Sequence, residues 1–405
     1  MYLTGEQLQD HIIRFRRDLH AHPELGGQEY RTSRKVQEEL ERLGIPYESG
    51  FAGTGILGII EGAEPGPTVA LRADMDALPV VENTASEYRS QVEGVMHACG
   101  HDAHTAMLIG AAHSLKAAAS RMKGKVLLIF QPAEEVAPIG GAEPMLRDGL
   151  FAKHRPDVML AQHVWPKLPV GTFGIRPGYM MGASDQFELV IKGRGGHASM
   201  PHEGVDAIVA AGQFVSAAQS IVSRSINPLE QAVVTIGTLN AGYRYNALAE
   251  EAHMTGTIRT FNEEVRKKVE ERLRAIAAGI SEAMDVTIEL TIEYGYPSTC
   301  NDQETALFCR DVLVQAYGPQ ACPDVNPSLA AEDFSKFLKE YKGVYYWLGV
   351  GGDNGDYPAL HDSRFILDER ALRIGYEAMT RMTLAYMDKN QIASTGDEVN
   401  DYRSA

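Results

Sequence analysis

The order of hydrophobic patterns changes part-way along this chain, and that change restricts the possible folds more than any other feature. From the start, helical and strand-like stretches alternate. "GEQLQDHIIRFRRDLH" and "RTSRKVQEELERLG" carry helical periodicity, the second closing on Gly44. "GILGIIEG", "TVALRADM", a helix from about Asp102 to Leu115, "KVLLIF" and "VMLAQHVW" follow. Such alternation predicts an α/β domain: a mainly parallel sheet with helices on both faces. After "GTFGIRPGYMMGAS" the order becomes strand (DQFELVIKG), helix (DAIVAAGQFVSAAQSIVS), strand (AVVTIGTL), strand (EAHMTGTIRT), helix (EEVRKKVEERLRAIAAGISEAM), strand (VTIELTIEY). That β-α-β-β-α-β order is the ferredoxin-like arrangement of a small two-layer domain. Turn residues bracket it, Pro177 and Gly178 before and "YGYPSTCND" after. The pattern therefore predicts an inserted domain over 181–296 within an outer domain of 1–180 and 297–405. The outer domain closes on a helix from Asp368 to Met387, and the polar tail "NQIASTGDEVNDYRSA" is expected to fray. A length of 405 residues suits two domains of about 100–200 each.

Composition removes several classes of function. Lys and Arg total 38 against 54 Asp and Glu, a formal net charge of −16. A nucleic-acid partner needs a basic face to displace counterions, and the basic run "VRKKVEERLR" is interleaved with acids on a helix. No apolar run approaches the ~20 residues of a membrane helix. The opening "MYLTGEQLQDHIIRFRRDLH" has no basic-then-apolar order, so no secretory signal is expected. Four scattered cysteines without a CxxC pair fit a reducing, cytoplasmic location.

The polar residues fall where the strands end. "TVALRADMDALP" ends in Asp74 and Asp76, "KVLLIFQPAEE" in Glu134 and Glu135, and "VMLAQHVW" carries His163 near its end. "MHACGHDAHTAM" places Cys99 and His101 just before a helix. In open parallel sheets ligands bind outside the carboxyl ends of the strands, so these groups converge on one edge. Each alone has a plainer reading. His163 beside Trp165 could be a structural histidine, Glu134 and Glu135 solvated loop charges, and Asp102 a helix cap. Their joint placement favours a metal site. Thiolate, imidazole and carboxylate together suit zinc, or manganese, cobalt or nickel where carboxylates dominate. Adjacent Glu134 and Glu135 point opposite ways if extended, so one can ligate while the other faces a substrate. "GTGILG" fits the dinucleotide pattern but precedes an isoleucine-rich strand, so it reads as a hairpin turn.

Taken in order, "RRDLHAHPELGGQEYRTS", "LRADMDALPV", "GVMHACGHDAHTAMLIGAA", "LIFQPAEE", "GRGGHASMPH" and "LHDSRF" resemble the amidohydrolase branch of the dinuclear metallo-aminoacylases and carboxypeptidases. That branch includes hippurate hydrolase, auxin-conjugate hydrolases and N-acetyldiaminopimelate deacetylase. The resemblance runs from about Phe15 to the last helix. It implies a catalytic domain with an inserted lid used for dimerisation, and two divalent ions, zinc or manganese foremost, held by Cys99, His101, Glu135, His163 and His361, with Cys99 as the bridge. It implies Glu134 as general base and Asp76 as the carboxylate orienting a ligand histidine. Asp74 stands where related branches place a histidine ligand. His97 and His104 are implied as supporting residues, with Asp102 starting the helix. In the inserted domain it implies His197 at the substrate carbonyl, reached across a dimer in many members, and Asn246 and Arg259 at the substrate carboxylate. "SLAAEDF" is expected to line the site. The implied activity is metal-dependent hydrolysis of an N-acyl amino acid to a carboxylic acid and a free amino acid. A carboxypeptidase or dipeptidase using the same site is the near alternative, and a non-catalytic metal-binding or ligand-binding protein the distant one.

Overall fold

The computed structural model describes residues 3–352 and 357–396. The chain divides into two compact units, Met1–Met180 with Cys300–Asn326 and Asp333–Ala405, and Met181–Thr299 with Pro327–Glu332.

The first unit opens with helices α1 (Gly5–Ala21) and α2 (Tyr30–Leu43). Val36, Leu40 and Leu43 give α2 one buried stripe, and Gly44 ends it in the left-handed region at φ 63°. Strands β1 (Tyr47–Phe51), β2 (Gly55–Glu61) and β3 (Glu64–Asp74) follow, then α3 (His101–Ala118), β4 (Lys123–Gln131), α4 (Ala142–Arg147), β5 (Val158–Pro169) and β6 (Phe173–Gly174). "GTGILG" is indeed a hairpin: Ala52 and Gly53 turn between antiparallel β1 and β2 with φ 48° and 92°.

The second unit contributes β7 (Ala183–Lys192), α5 (Ala207–Ser220), β8 (Ala232–Ala241), β9 (Glu251–Thr260), α6 (Glu263–Met284) and β10 (Thr287–Tyr294). They form an antiparallel sheet in the order β10-β7-β9-β8. Phe187, Leu189 and Ile191 alternate inward from β7 and meet Phe214 of α5 and Val269 and Leu273 of α6 in a core of their own. Asp206 and Asn262 cap the two helices, accepting from Ile208 N and Glu264 N. The return segment 327–332 joins this unit, where Gly182 N donates to the carbonyls of Ser328 and Ala330.

Back in the first unit come α7 (Gln303–Tyr317), α8 (Phe334–Leu338), β11 (Gly343–Gly351) and α9 (Arg370–Gly396). The large sheet has the order β1-β2-β4-β3-β5-β11-β6. Its centre, β4-β3-β5-β11, is parallel, and its flanks are antiparallel. One face packs Val69, Leu71, Val126 and Leu128 against Ile12 of α1, Leu40 of α2, Leu108 of α3, Leu313 of α7 and Met379 of α9. On the other face Tyr345 stacks near Phe334 of α8, ring centroids 6.1 Å apart. Helix α3 is buried almost all round, and its Gly110 lies against Tyr376 of α9. Helix α9 extends past the expected Met387 to Gly396. The rest of the polar tail, and residues 353–356 of the loop before His361, lie outside the described residues.

Strands β3 and β4 end side by side, Asp74 opposite Gln131. The loop to α3 and the loop carrying Glu134 and Glu135 thus leave the same sheet edge. His163 is farther inside its strand than the pattern suggested, opposite Trp347, with β5 continuing to Pro169.

Candidate metal centre

Each candidate ligand is held by a local backbone device. Gly100 separates Cys99 from His101 at φ 82°, and a Cβ there would meet Val164 Cγ2 at 2.4 Å. Glu134 and Glu135 follow Ala133, a non-glycine residue at φ 56°, whose N–H donates to Glu29 Oε1 at 2.9 Å. Glu29 is wholly buried and its other oxygen accepts from the Thr54 hydroxyl at 2.7 Å. His361 also sits at positive φ, 67°, with its N–H on the Ala98 carbonyl at 2.9 Å. Of four non-glycine residues at positive φ among the described residues, two, Ala133 and His361, stand beside this cluster.

The side chains converge. Ligand atoms of Cys99, His101 and His163 lie within 4.8 Å of one another, as do those of Cys99, Glu135 and His361, and those of His101, Glu134 and Glu135. Cys99 Sγ is 3.4 Å from His163 Nε2 and 3.3 Å from His361 Nε2, and His361 Nε2 is 3.1 Å from Glu135 Oε1. His163 uses Nδ1 to donate to the Val164 carbonyl at 2.8 Å, so Nε2 presents a lone pair to the sulfur. His101 faces Asp76 Oδ1 with Nδ1 at 3.2 Å, while its Nε2 is buried without a hydrogen bond. Asp76 Oδ2 accepts from Glu135 N at 2.9 Å. One carboxylate therefore fixes the ring of one candidate ligand and the backbone of another. Imidazole lone pairs turned toward a thiol and an orphaned buried nitrogen are what a divalent cation would satisfy, so these residues fit a metal.

The electrostatics agree. Burial drives the Cys99 thiol well above its ordinary pKa, and nearby Glu135, Glu134 and Asp74 push the same way. Burial disfavours a charged His101, yet Asp74 and Asp76 outweigh it and raise its pKa to about 10. The pocket thus holds excess negative charge and attracts a cation.

Other expected residues take different work. Asp74 lies beside the ligands but is committed elsewhere, Oδ1 to His104 Nδ1 at 2.5 Å and Oδ2 to Arg72 at 2.6 Å. Burial raises its carboxyl, but His101, Arg72 and His104 hold it well below the usual range. His104 Nε2 in turn accepts from Val164 N at 2.9 Å, so both its nitrogens are occupied. Asp102 does not cap α3: its carboxylate turns to Arg16 at 2.6 Å and His20 at 2.8 Å, and buried ion pairing wins over a cap. His97 is buried, and burial lowers its pKa to about 3. Of "SLAAEDF", Asp333 belongs to the first unit and acts as an anchor. It accepts from Arg72 at 2.8 Å, Gln131, and the amides of Gly141 and Ala142, and its own N–H donates to Glu134 Oε1 at 3.3 Å. The roles of Glu29 and Arg72 were not legible in their motifs, whereas Asp333 lies in a segment expected to line the site. A charged Arg72 inside the apolar run "TVALRAD" was the available signal.

In the second unit His197 and Asn246 lie on neighbouring segments, joined by a bridge between His197 and Ala247 and by Ala198 N donating to Asn246 O at 3.2 Å. His197 is exposed, with Nδ1 accepting from Ser199 N at 3.1 Å. Arg259 is on β9 opposite Ser184, half-buried, with Nη1 on the Ile258 carbonyl at 3.0 Å and on Thr257. Burial lowers its pKa.

A two-unit α/β chain with carboxylate, thiol and imidazole at the end of a parallel sheet has the makings of a metallohydrolase. The model of peptidase family M20/M25/M40 matches residues 70–385, and the chain belongs to that family. It is a hydrolase acting on amide bonds. It is 39% identical over 387 residues to thermostable carboxypeptidase 1 of Saccharolobus solfataricus, covering 95% of this chain and 97% of that one. It is also 39% identical over 391 residues to N-acetylcysteine deacetylase of Bacillus subtilis, covering 95% and 99%. Among solved structures, the Bacillus subtilis YXEP protein, described as a dinuclear metal-binding peptidase from the M20 family, superposes with a TM-score of 0.84 at 34% identity, covering 95% and 99%.

Proposed function

We propose that this chain hydrolyses the amide bond of N-acyl amino acids, using two divalent ions held by Cys99, His101, Glu135, His163 and His361 with Cys99 shared. The convergence of these groups, with Glu134 beside them, carries the reading. When bound, such ions supply Lewis acidity that polarises a carbonyl and brings water ionisation toward neutral pH. Glu134 takes the proton of the attacking water and returns it to the leaving amine. Asp76 keeps His101 in the tautomer with an open Nε2. His197 donates to the developing oxyanion, and Arg259, with Asn246, binds the carboxylate end through a two-pronged ion pair. Zinc or manganese suits the mixed donor set. The second unit serves as a ferredoxin-like lid through which the protein forms a homodimer or larger homo-oligomer. The absence of any disulfide among the four cysteines favours the cytoplasm, and no helix among the described residues is long and apolar enough to cross a membrane.

Likeness to a carboxypeptidase supports a second reading, cleavage of peptides on the same centre. Rates on N-acyl amino acids and on dipeptides, with the metal content of the same sample, separate the two. Glu134→Gln should lower kcat by about 10²–10⁴-fold with both metals retained. A fully active Glu134→Gln would sink the base assignment, whereas no turnover on either substrate class by the metal-loaded wild type would favour the non-catalytic binding reading.

A further inference from the structure

A second convergence of metal-binding groups lies away from the centre described above. It joins helices α1, α2 and α3 through His11, Glu39 and His113, whose ligand atoms lie within 4.8 Å of one another. His11 Nε2 is 3.1 Å and His113 Nε2 is 3.9 Å from Glu39 Oε2. Tetrahedral ligands about 2.1 Å from an ion stand about 3.4 Å apart, so this spacing needs little adjustment. The His11 and His113 rings stack at an angle with centroids 5.7 Å apart.

The group now at the middle of this cluster is the Arg42 guanidinium. Its Nη2 contacts His113 Nε2 at 2.8 Å, His11 Nε2 at 3.1 Å and also Glu39 Oε2. A single NH2 group has two hydrogens for these three neighbours, and His11 Nε2 is itself 3.1 Å from Glu39 Oε2. Both Nε2 atoms point inward, and a neutral imidazole with its proton on Nδ1 can turn a lone pair from Nε2 to an ion. His113 is fully buried and its Nδ1 has no hydrogen bond. Arg42 itself is 39% exposed and can swing to solvent on its flexible stem.

We propose that His11, Glu39 and His113 form an additional divalent transition-metal site, in which Arg42 is a displaceable stand-in for the ion. Two imidazoles and a carboxylate with an open fourth position suit zinc, cobalt, nickel or copper. Binding there pins three helices of the first unit together, so it raises stability and takes no part in the chemistry.

The test uses zinc-loaded full-length protein dialysed against buffered free zinc, with bound zinc counted by mass spectrometry. Arg42→Ala should hold one more zinc per chain than Arg42→Ala/His11→Ala, and bind it roughly two- to fivefold more tightly than wild type. Its melting temperature should rise further with zinc than that of the double variant, in which only the principal centre responds. Arg42→Ala/Glu39→Gln, which leaves His11 in place, should lose the same zinc. The principal centre is common to all these proteins, so the differences stand whatever its occupancy. Equal zinc counts and equal zinc-dependent melting in Arg42→Ala and both double variants would overturn the proposal.

Discussion

Replacing Asp76 by asparagine probes the metal centre through a residue that touches no ion in the proposed scheme. Both oxygens of Asp76 accept, one from His101 Nδ1 at 3.2 Å and one from Glu135 N at 2.9 Å. Asparagine offers one oxygen and one NH2 at the same positions. With the oxygen toward Glu135 N, the NH2 meets Nδ1 of His101. The ring must then carry its proton on Nε2, where a metal needs the lone pair. With the oxygen toward His101, the NH2 meets the N–H of Glu135, and the backbone that aims this ligand loses its partner. Either orientation forfeits one hydrogen bond to a charged group, worth about 1.5–3 kcal/mol. Loss of such partners weakens metal binding by about 10–100-fold, or ~1.4–2.8 kcal/mol. Competition with a chromophoric chelator at fixed pH should therefore show Asp76→Asn binding zinc about 10–100-fold more weakly than wild type. Activity should fall in parallel at limiting zinc and recover with excess zinc, while Glu134→Gln should not recover. Wild-type zinc affinity in Asp76→Asn would refute the coupling.

Glu29→Ala removes the acceptor for Ala133 N and should lower kcat at saturating zinc by about 10–100-fold, by loosening the turn that aims Glu134 and Glu135; Glu29→Gln, which keeps an acceptor oxygen, should retain most activity. Burial raises the Glu82 carboxyl, but hydrogen bonds from His20, Thr84 and Ser90 N outweigh this and hold it at about 2. The unfolded chain therefore takes up this proton first as pH falls, so the stabilisation is complete above about pH 4.5 and is lost between there and about pH 2. Urea midpoints should show the gap between wild type and Glu82→Gln closing over that interval, and a constant gap would remove Glu82 from the acid limb. Gly110→Ala should lower stability by about 1–2 kcal/mol, overpacking exceeding the gain in helix propensity, because the new Cβ would lie 2.7 Å from Cγ and Cδ1 of Tyr376. An unchanged or raised denaturation midpoint would count against it.

Much of the architecture was legible because it depends on local periodicity. The parallel centre of the large sheet follows from strands alternating with helices, and the hairpin at Gly53 from a glycine turn before an isoleucine-rich strand. The antiparallel flanks were not legible, since β2 beside β4 is a choice of partner made by packing over distance. Nor did any period mark 327–332 as packing with Gly182, for so short a stretch has no face of its own.

The candidate ligands were legible for a different reason: sulfur, imidazole and carboxylate crowd into short motifs at strand ends. Apart from Asp76 and His104, which the resemblance implied, what supports them was hidden, because it consists of pairings between distant residues. Asp102 illustrates the limit. Its place at the start of α3 suggested a cap, yet Arg16, some eighty residues earlier, claims the carboxylate at 2.6 Å. The same holds for Arg72, which answers Asp74 and Asp333 together. That engagement bears on the metal. The Arg72 guanidinium contacts those two carboxylates and Gln131. Buried carboxylates crowded with a thiol are costly without a counter-charge, and the imidazoles that face them serve best as neutral ligands. A divalent ion lowers that cost at the ligands, while Arg72 serves Asp74 and Asp333. Arg72→Met would free two buried acids a short step from the ligands, so it should destabilise the first unit by about 3–5 kcal/mol. A denaturation midpoint within error of wild type would mean that this arginine does not balance them.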